Sequence, residues 1–199
     1  MKKLLVSLLF VLSIGVSYAA QYVPIHSNDI YNLRQDVETG ELDLWLSDHI
    51  DGTGKYIPLL NYLDSRPPVT VNLHLIGYGG SATAYSLLTR SLAKHNVVVH
   101  VHGSLYSAHA MLLCSADKTV IFYETSVEIM YHGVQGGKEA DAKAYDKLWT
   151  GPTLKKQCVG KTLTVTEIND MLRLRNELYI RYPELVKRLK ANGIKVITK

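Results

Sequence analysis

Ser107 is the side chain best placed for covalent chemistry. It stands in Gly103-Ser-Leu-Tyr-Ser107-Ala-His-Ala-Met-Leu-Leu-Cys-Ser115. A β-branched apolar run, 97–101, precedes it and an apolar helical segment, 108–114, follows; Gly103 breaks the run. A serine between a strand and a buried helix start is held in a fixed, exposed position. The helix start adds free backbone N–H groups and a partial positive charge. An activated nucleophile with half of an oxyanion hole needs that arrangement. The stretch is not the Gly-x-Ser-x-Gly elbow of the α/β-hydrolases. Taken alone, it reads as a helix cap, because capping serines outnumber nucleophiles.

Two other sets of residues bear on chemistry. His95, His100, His102 and His109 crowd one stretch, and His74 lies on a neighbouring predicted strand. His100 and His102 share a strand face, so a metal site is conceivable. No carboxylate or cysteine accompanies them at a telling spacing, so they are read as incidental and no metal is expected. Cys114 and Cys158 form neither a Cys-x-x-Cys nor a zinc-type pattern. An exported chain permits a disulfide. Cys114 falls in the apolar helix, and the preferred reading is a buried free thiol.

The elements that must position these residues begin after a leader. Met1-Lys-Lys, an apolar run over 4–16 and Ser17-Tyr-Ala19-Ala20 form a secretory signal peptide, cleaved after Ala19. The junction has no cysteine, which argues against a lipoprotein. The apolar run is short of the roughly 20 residues that span a bilayer; an uncleaved anchor is the alternative. Loss of Lys2 and Lys3 takes the net charge from +4 to +2. That is too mild to indicate nucleic acid or a membrane surface. Tyr22, Tyr31, Tyr56 and Tyr62 show no base-stacking pattern either. The expected location is periplasmic or secreted, and residues 20–199 suffice for a single domain.

Residues 21–40 are weakly patterned. The alternation of Leu42, Leu44 and Leu46 makes 41–47 a strand, and 51–54 a turn. A helix over 55–63 carries Ile57, Leu60 and Leu63, with Pro58 near its first turn. Pro67-Pro68 ends that unit. A strand over 69–76 meets a tight Gly77-Tyr-Gly-Gly80 loop, a helix over 82–94 and a strand over 96–102. Strands over 119–123 and 127–131 follow the Ser107 segment. The rest is helical: 139–150, an interruption at Gly151-Pro152, then 154–159. Thr164-x-x-Glu167 is a capping box opening 168–174, and Tyr182-Pro183 starts 184–191. Gly193 ends that helix before a short strand, 194–197. This rhythm predicts an α/β fold with a mainly parallel sheet and right-handed crossovers. Both glycine-bearing loops then lie at the carboxyl edge, where sites gather.

Three segments taken together resemble the proteolytic subunit of the Clp protease, in the crotonase-like group that includes signal peptide peptidase A. They are Gly79-Gly-Ser-Ala82, Gly103-Ser-Leu-Tyr-Ser107-Ala and Val127-Glu-Ile-Met-Tyr-His132-Gly. The order matches, the 25-residue step from Ser107 to His132 fits, and the likeness covers about 41 to 135. It implies repeated ββα units and a helical C-terminal part. It also implies Ser107 as nucleophile, His132 as general base, and the N–H groups of Gly80 and Ala108 as oxyanion donors. The family's aspartate falls after Glu167. Asp170 is nearest, Met171 or Leu172 also fit the position, and Asp141 and Asp146 are lesser candidates. Gly77-Tyr78 replaces the family's Ser-Pro, and Ser104-Leu105-Tyr106 is bulkier than its small residues.

The leading expectation is an exported serine peptidase that acts on peptides or unfolded protein and needs no cofactor. Self-association follows from the resemblance. A periplasm holds no ATP pool, so no ATPase partner is expected. A binding or scaffold protein that has kept the fold is the alternative. A crotonase acting on an acyl thioester is a third, disfavoured by export.

Overall fold

The alternating leucines of the first predicted strand lead into the whole architecture. The structure, a computed structural model, describes residues 21–46, 49–50, 52–133, 147 and 158–199. The leader, Asp141, Asp146 and, apart from Lys147, the predicted helix over 139–150 with its resumption up to 157 lie outside the described residues. In order come β1 (Tyr22–Ser27), β2 (Tyr31–Asp36), β3 (Leu42–Leu46), β4 (His49–Ile50), a 3₁₀ turn (Thr53–Tyr56), α1 (Ile57–Asp64) and β5 (Thr70–Gly77). Then follow β6 (Gly79–Gly80), α2 (Ala82–Leu92), β7 (Asn96–Tyr106), α3 (Ala108–Leu113), β8 (Thr119–Phe122) and β9 (Glu128–His132). The chain closes with α4 (Val165–Leu174), β10 (Glu177–Arg181), α5 (Tyr182–Ala191) and β11 (Lys195–Thr198).

The fold is α/β with a mostly parallel mixed sheet. Its main path runs β1-β2-β3-β5-β7-β8-β11. Pairing is antiparallel for β1–β2 and β2–β3 and parallel from β3 onward. Strand β7 is long enough to serve two neighbours. Its middle pairs β8, and its end pairs β9 through Leu105↔Ile129 and Tyr106↔Met130. Antiparallel β10 then lies outside β9. Buried Leu42, Leu44, Leu73, Leu75, Val99, Val101 and Phe122 join Leu59, Leu63, Leu88, Leu92 and Met111 in one hydrophobic core. Burying each such side chain contributes about 1.5–3 kcal/mol.

Several elements differ from the sequence reading. Gly103 does not end β7. Gly77 pairs Leu105 only two residues after Leu75 pairs Val101, so β7 accommodates an irregularity and continues to Tyr106. A Cβ at Gly103 would lie 3.0 Å from Ile76 Cδ1, so glycine permits a close approach. The weakly patterned 21–40 region is a hairpin. Only β2 alternates, since β1 is exposed along nearly its whole length. Asn28 fixes its turn, accepting from Ile30 N at 2.9 Å and Tyr31 N at 3.0 Å. In α1 the buried residues are Leu59, Leu60 and Leu63, while Ile57 is exposed, because the preceding 3₁₀ turn rotates the helix start. The Thr164–Glu167 capping box forms as expected.

Cys114 and Cys158 are joined in a disulfide with Cα atoms 4.9 Å apart, which corrects the free-thiol preference. Spacing in sequence could not show the approach, because the bridge links elements 44 residues apart. Lys161 reinforces the junction, donating to the carbonyls of Cys114 (3.2 Å) and Ala116 (2.6 Å) beyond the end of α3. Tyr131 is fully buried and donates its hydroxyl to Thr162 Oγ1 at 3.0 Å beneath the same bridge.

Candidate functional site

Ser107 has φ 55° and ψ −119°, a backbone conformation rare for a residue with a side chain. Such a conformation costs about 1–3 kcal/mol and persists only where the surroundings over-determine it. Here both backbone groups are held. Its N–H donates to Met130 O at 2.8 Å, and its carbonyl accepts from Met111 N at 3.0 Å. The α3 helix that follows is buried along its whole length, so the turn cannot relax outward. The side chain makes no capping hydrogen bond. The cap role favoured by the local stretch is therefore not what Ser107 does.

The Gly-Gly loop lies directly against this turn. A Cβ on Gly79 would stand 2.6 Å from Ser107 Cβ and 3.1 Å from Ala108 N. Gly79 N donates to buried His109 Nδ1 at 3.1 Å. Gly80 is equally constrained, since a Cβ there would lie 2.0 Å from Ile50 O. Both glycines have positive φ, +103° and +135°. Ser81 N donates to Ile50 O at 2.6 Å. Gly80 and Ala108, the donors the resemblance implies, belong to segments that meet beside Ser107.

His132 ends β9, two residues beyond Met130, the register partner of Tyr106. Its Nδ1 is hydrogen-bonded to the Gly133 carbonyl. A carbonyl only accepts, so Nδ1 carries the proton and Nε2 is left with its lone pair. Among the described residues no hydrogen bond joins Ser107 Oγ to His132. Asp170 lies on α4 with its carboxylate 3.0 Å from Arg173, on a partly exposed face. The α4 end nearest His132 is reached through Gly133, where a Cβ would meet Arg175 at 3.5 Å and Leu172 at 3.7 Å. Among the described residues no hydrogen bond or ion pair joins Asp170 to His132. The carboxylate nearest in register is Glu177, directly opposite His132 in the β9–β10 ladder. The sequence reading passed over it because the short β10 was not recognised.

The histidines form a second, separate cluster further back along β5 and β7. His74 Nε2 donates to Asp43 Oδ1 at 2.7 Å, and His74 Nδ1 is 2.8 Å from His102 Nε2. His100 bridges Asn72 Oδ1 at 3.2 Å and Tyr123 Oη at 3.1 Å. Trp45 stacks on His74 with centroids 4.0 Å apart, and His102 stacks on Tyr123 at 4.2 Å. The carboxylate that sequence spacing did not supply is Asp43, carried in from β3. Burial raises the Asp43 pKa, but the His74 hydrogen bond and charge and the Trp45 N–H outweigh it and hold the carboxyl below its usual range. Burial, then repulsion from His74 and His102, brings His100 down to about 4. Burial and the His74 charge also lower His102. Among the described residues no group of three or more histidine, cysteine, aspartate or glutamate side chains is arranged to hold a metal ion. His95 and His109 stand apart, bonded to backbone at Leu63 and Gly79.

No helix among the described residues is long and apolar enough to cross a membrane. No family model matches the chain, and no curated protein matches it in sequence.

Proposed function

We propose that the chain is an exported serine peptidase of Clp-protease-like, crotonase-like fold that cleaves peptides through an acyl-enzyme on Ser107. The observation that carries this reading is the Ser107 backbone: a strained conformation, bonded at both ends, presenting a hydroxyl released from capping. A structural serine has no need of that strain. His132 Nε2 takes the Ser107 proton as Oγ attacks the peptide carbonyl. The tetrahedral oxyanion accepts hydrogen bonds from Gly80 N–H and Ala108 N–H, each contributing about 3 kcal/mol in the transition state. His132 then protonates the leaving amine, and water releases the acyl group by the same route in reverse. Substrate must draw the imidazole onto Ser107, a tightening common when the Michaelis complex forms. The Gly133 carbonyl already fixes the required tautomer, the task an aspartate performs in the resembled family. Substrates are short or unfolded peptides, and the protein self-associates.

The test is labelling of the mature protein with a fluorophosphonate, beside Ser107→Ala and His132→Ala. Labelling that requires both residues is the expected result. The Asp170–Arg173 pair favours a second reading, a non-catalytic binding protein that has kept the fold. Absence of labelling in folded protein would select it.

A further inference from the structure

The main sheet has two faces, and the described helices pack on one. Leu44, Leu73, Val99 and Phe122 point to that side and share a core cluster with the buried residues of α1, α2, α3, α4 and α5. The alternate residues of the same strands point the other way. They line up across six strands. Asn32 pairs in register with Trp45, Trp45 with His74, His74 with His100, His100 with Ile121 and Ile121 with Ile197. Ile76, two residues beyond His74, lies on β5, the middle strand of the seven. Trp45 is 37% exposed and Ile76 41%. Ile197 is half-buried and Ile121 buried. None of Trp45, Ile76, Ile121 and Ile197 belongs to the core cluster.

A mostly parallel sheet is ordinarily covered on both faces. Here the described helices cover one, and the second carries exposed apolar side chains that mark a contact surface. Its polar atoms need nothing from a cover. Trp45 N–H and His74 bond Asp43, Asn72 bonds His100 and Glu41, and His100 also bonds Tyr123. The charges of the face lie at its opposite ends. The β2–β3 end carries Asp36, Glu41 and Asp43 against Arg34. Strand β11 carries Lys195 and, just beyond it, Lys199, whose Nζ lies 5.4 Å from the Tyr123 ring centre; it carries no acid. A second copy turned about a two-fold axis along β5 lays the acidic end of each face on the basic end of the other. The apolar middles then meet. Such a contact is self-complementary, as a two-fold contact requires. We infer that two copies of this chain pack through the second face of the main sheet, with Ile76 beside the axis and Trp45 and Ile197 flanking it. The two sheets lie aligned, about 10 Å apart. The inference deepens the proposed self-association by naming its surface, and it does not depend on the chemistry at Ser107.

Sedimentation of the mature protein should show a dimer at micromolar concentration. Ile76→Lys sets two like charges beside the axis and should raise the dissociation constant at least about tenfold. Circular dichroism of that variant checks that it is folded. Lys195→Glu combined with Lys199→Glu lays acid on acid and should raise the constant several-fold. Cross-linking gives a second reading that needs no disruptive change. The native cysteines are bonded to each other, so one added cysteine reports its own neighbours. Ile76→Cys should join two copies on oxidation, because a residue beside a two-fold axis meets its counterpart. Ile57→Cys, at a position 54% exposed on α1, should not. Dimers that are indifferent to Ile76→Lys and to the charge reversal, or that join through Ile57→Cys and not Ile76→Cys, would overturn this face and leave self-association standing. A monomer at every concentration would overturn both.

Discussion

The Ser107 turn and the histidine row share strand β7, yet they treat their polar atoms in opposite ways. At His74, His100 and Asp43 every ring nitrogen and carboxylate oxygen closes on a neighbour, through Trp45, Asn72, Tyr123 or His102. Among the described residues the Ser107 backbone is bonded at both ends while its hydroxyl has no hydrogen bond, and at His132 only Nδ1 has one. Identical residue types thus give a closed network in one place and an open pair in the other. Histidine content alone says little about chemistry. What separates the regions is whether donor and acceptor capacity is exhausted inside the fold. The saturated row specifies how β3, β5, β7 and β8 lie together. The open turn keeps capacity for something that arrives.

Substitutions can break this contrast. The largest effect is expected for Gly80→Ala, whose Cβ would stand 2.0 Å from the Ile50 carbonyl oxygen at φ +135°. Stability should fall by about 4 kcal/mol or more, read by urea denaturation, and the turn should lose its loop support. Next comes Asp43→Ala, which strands the His74 N–H and the Trp45 N–H. It should cost about 3 kcal/mol while fluorophosphonate labelling persists, because the row is structural.

Acid sharpens the contrast more gently. His100 refuses a proton until about pH 4, whereas an unfolded histidine accepts one near 6.5. Between those values the unfolded chain binds more protons, so stability is full above about 6.5 and declines as pH falls toward 4. The loss should be about 2 kcal/mol after allowing for solvent screening on the partly open face of the sheet. Denaturation curves at neutral and mildly acid pH measure it, and His100→Asn should remove that portion of the slope. The smallest effect has the opposite sign. Ser107→Gly should be more stable than Ser107→Ala by about 1 kcal/mol, since glycine adopts φ 55° without the penalty. Equal melting of the two would mean that the turn stores no strain.

Much of this was legible in the chain. The leucine alternation of β3, the apolar runs of β5 and β7, and the capping box at Thr164 are local signals; they placed β3 and β5 within a residue, the start of β7 and the end of α4, while β7 runs four residues past its expected end and α4 starts three residues early. Ser107 and the Gly-Gly loop were visible because glycine and serine punctuate strand ends. What stayed hidden depends on contacts across the sheet. Asp43 meets His74 only because β3 and β5 pair in register, and Glu177 faces His132 only because β10 folds back on β9. Asp170 is the position the family resemblance points to, and its carboxylate pairs with Arg173 on its own helix. Gly103 misled because a glycine inside a strand signals a close approach as readily as an end.

The Cys114–Cys158 link has a topological consequence. It closes a ring of chain that contains His132, with Ser107 just upstream and α4 and α5 downstream. One hydrolytic cut anywhere within the ring adds a water but releases no fragment. The two pieces travel together in a denaturing gel and part only after reduction. A peptidase that nicks its own copies within the ring would therefore appear intact until a reductant was added.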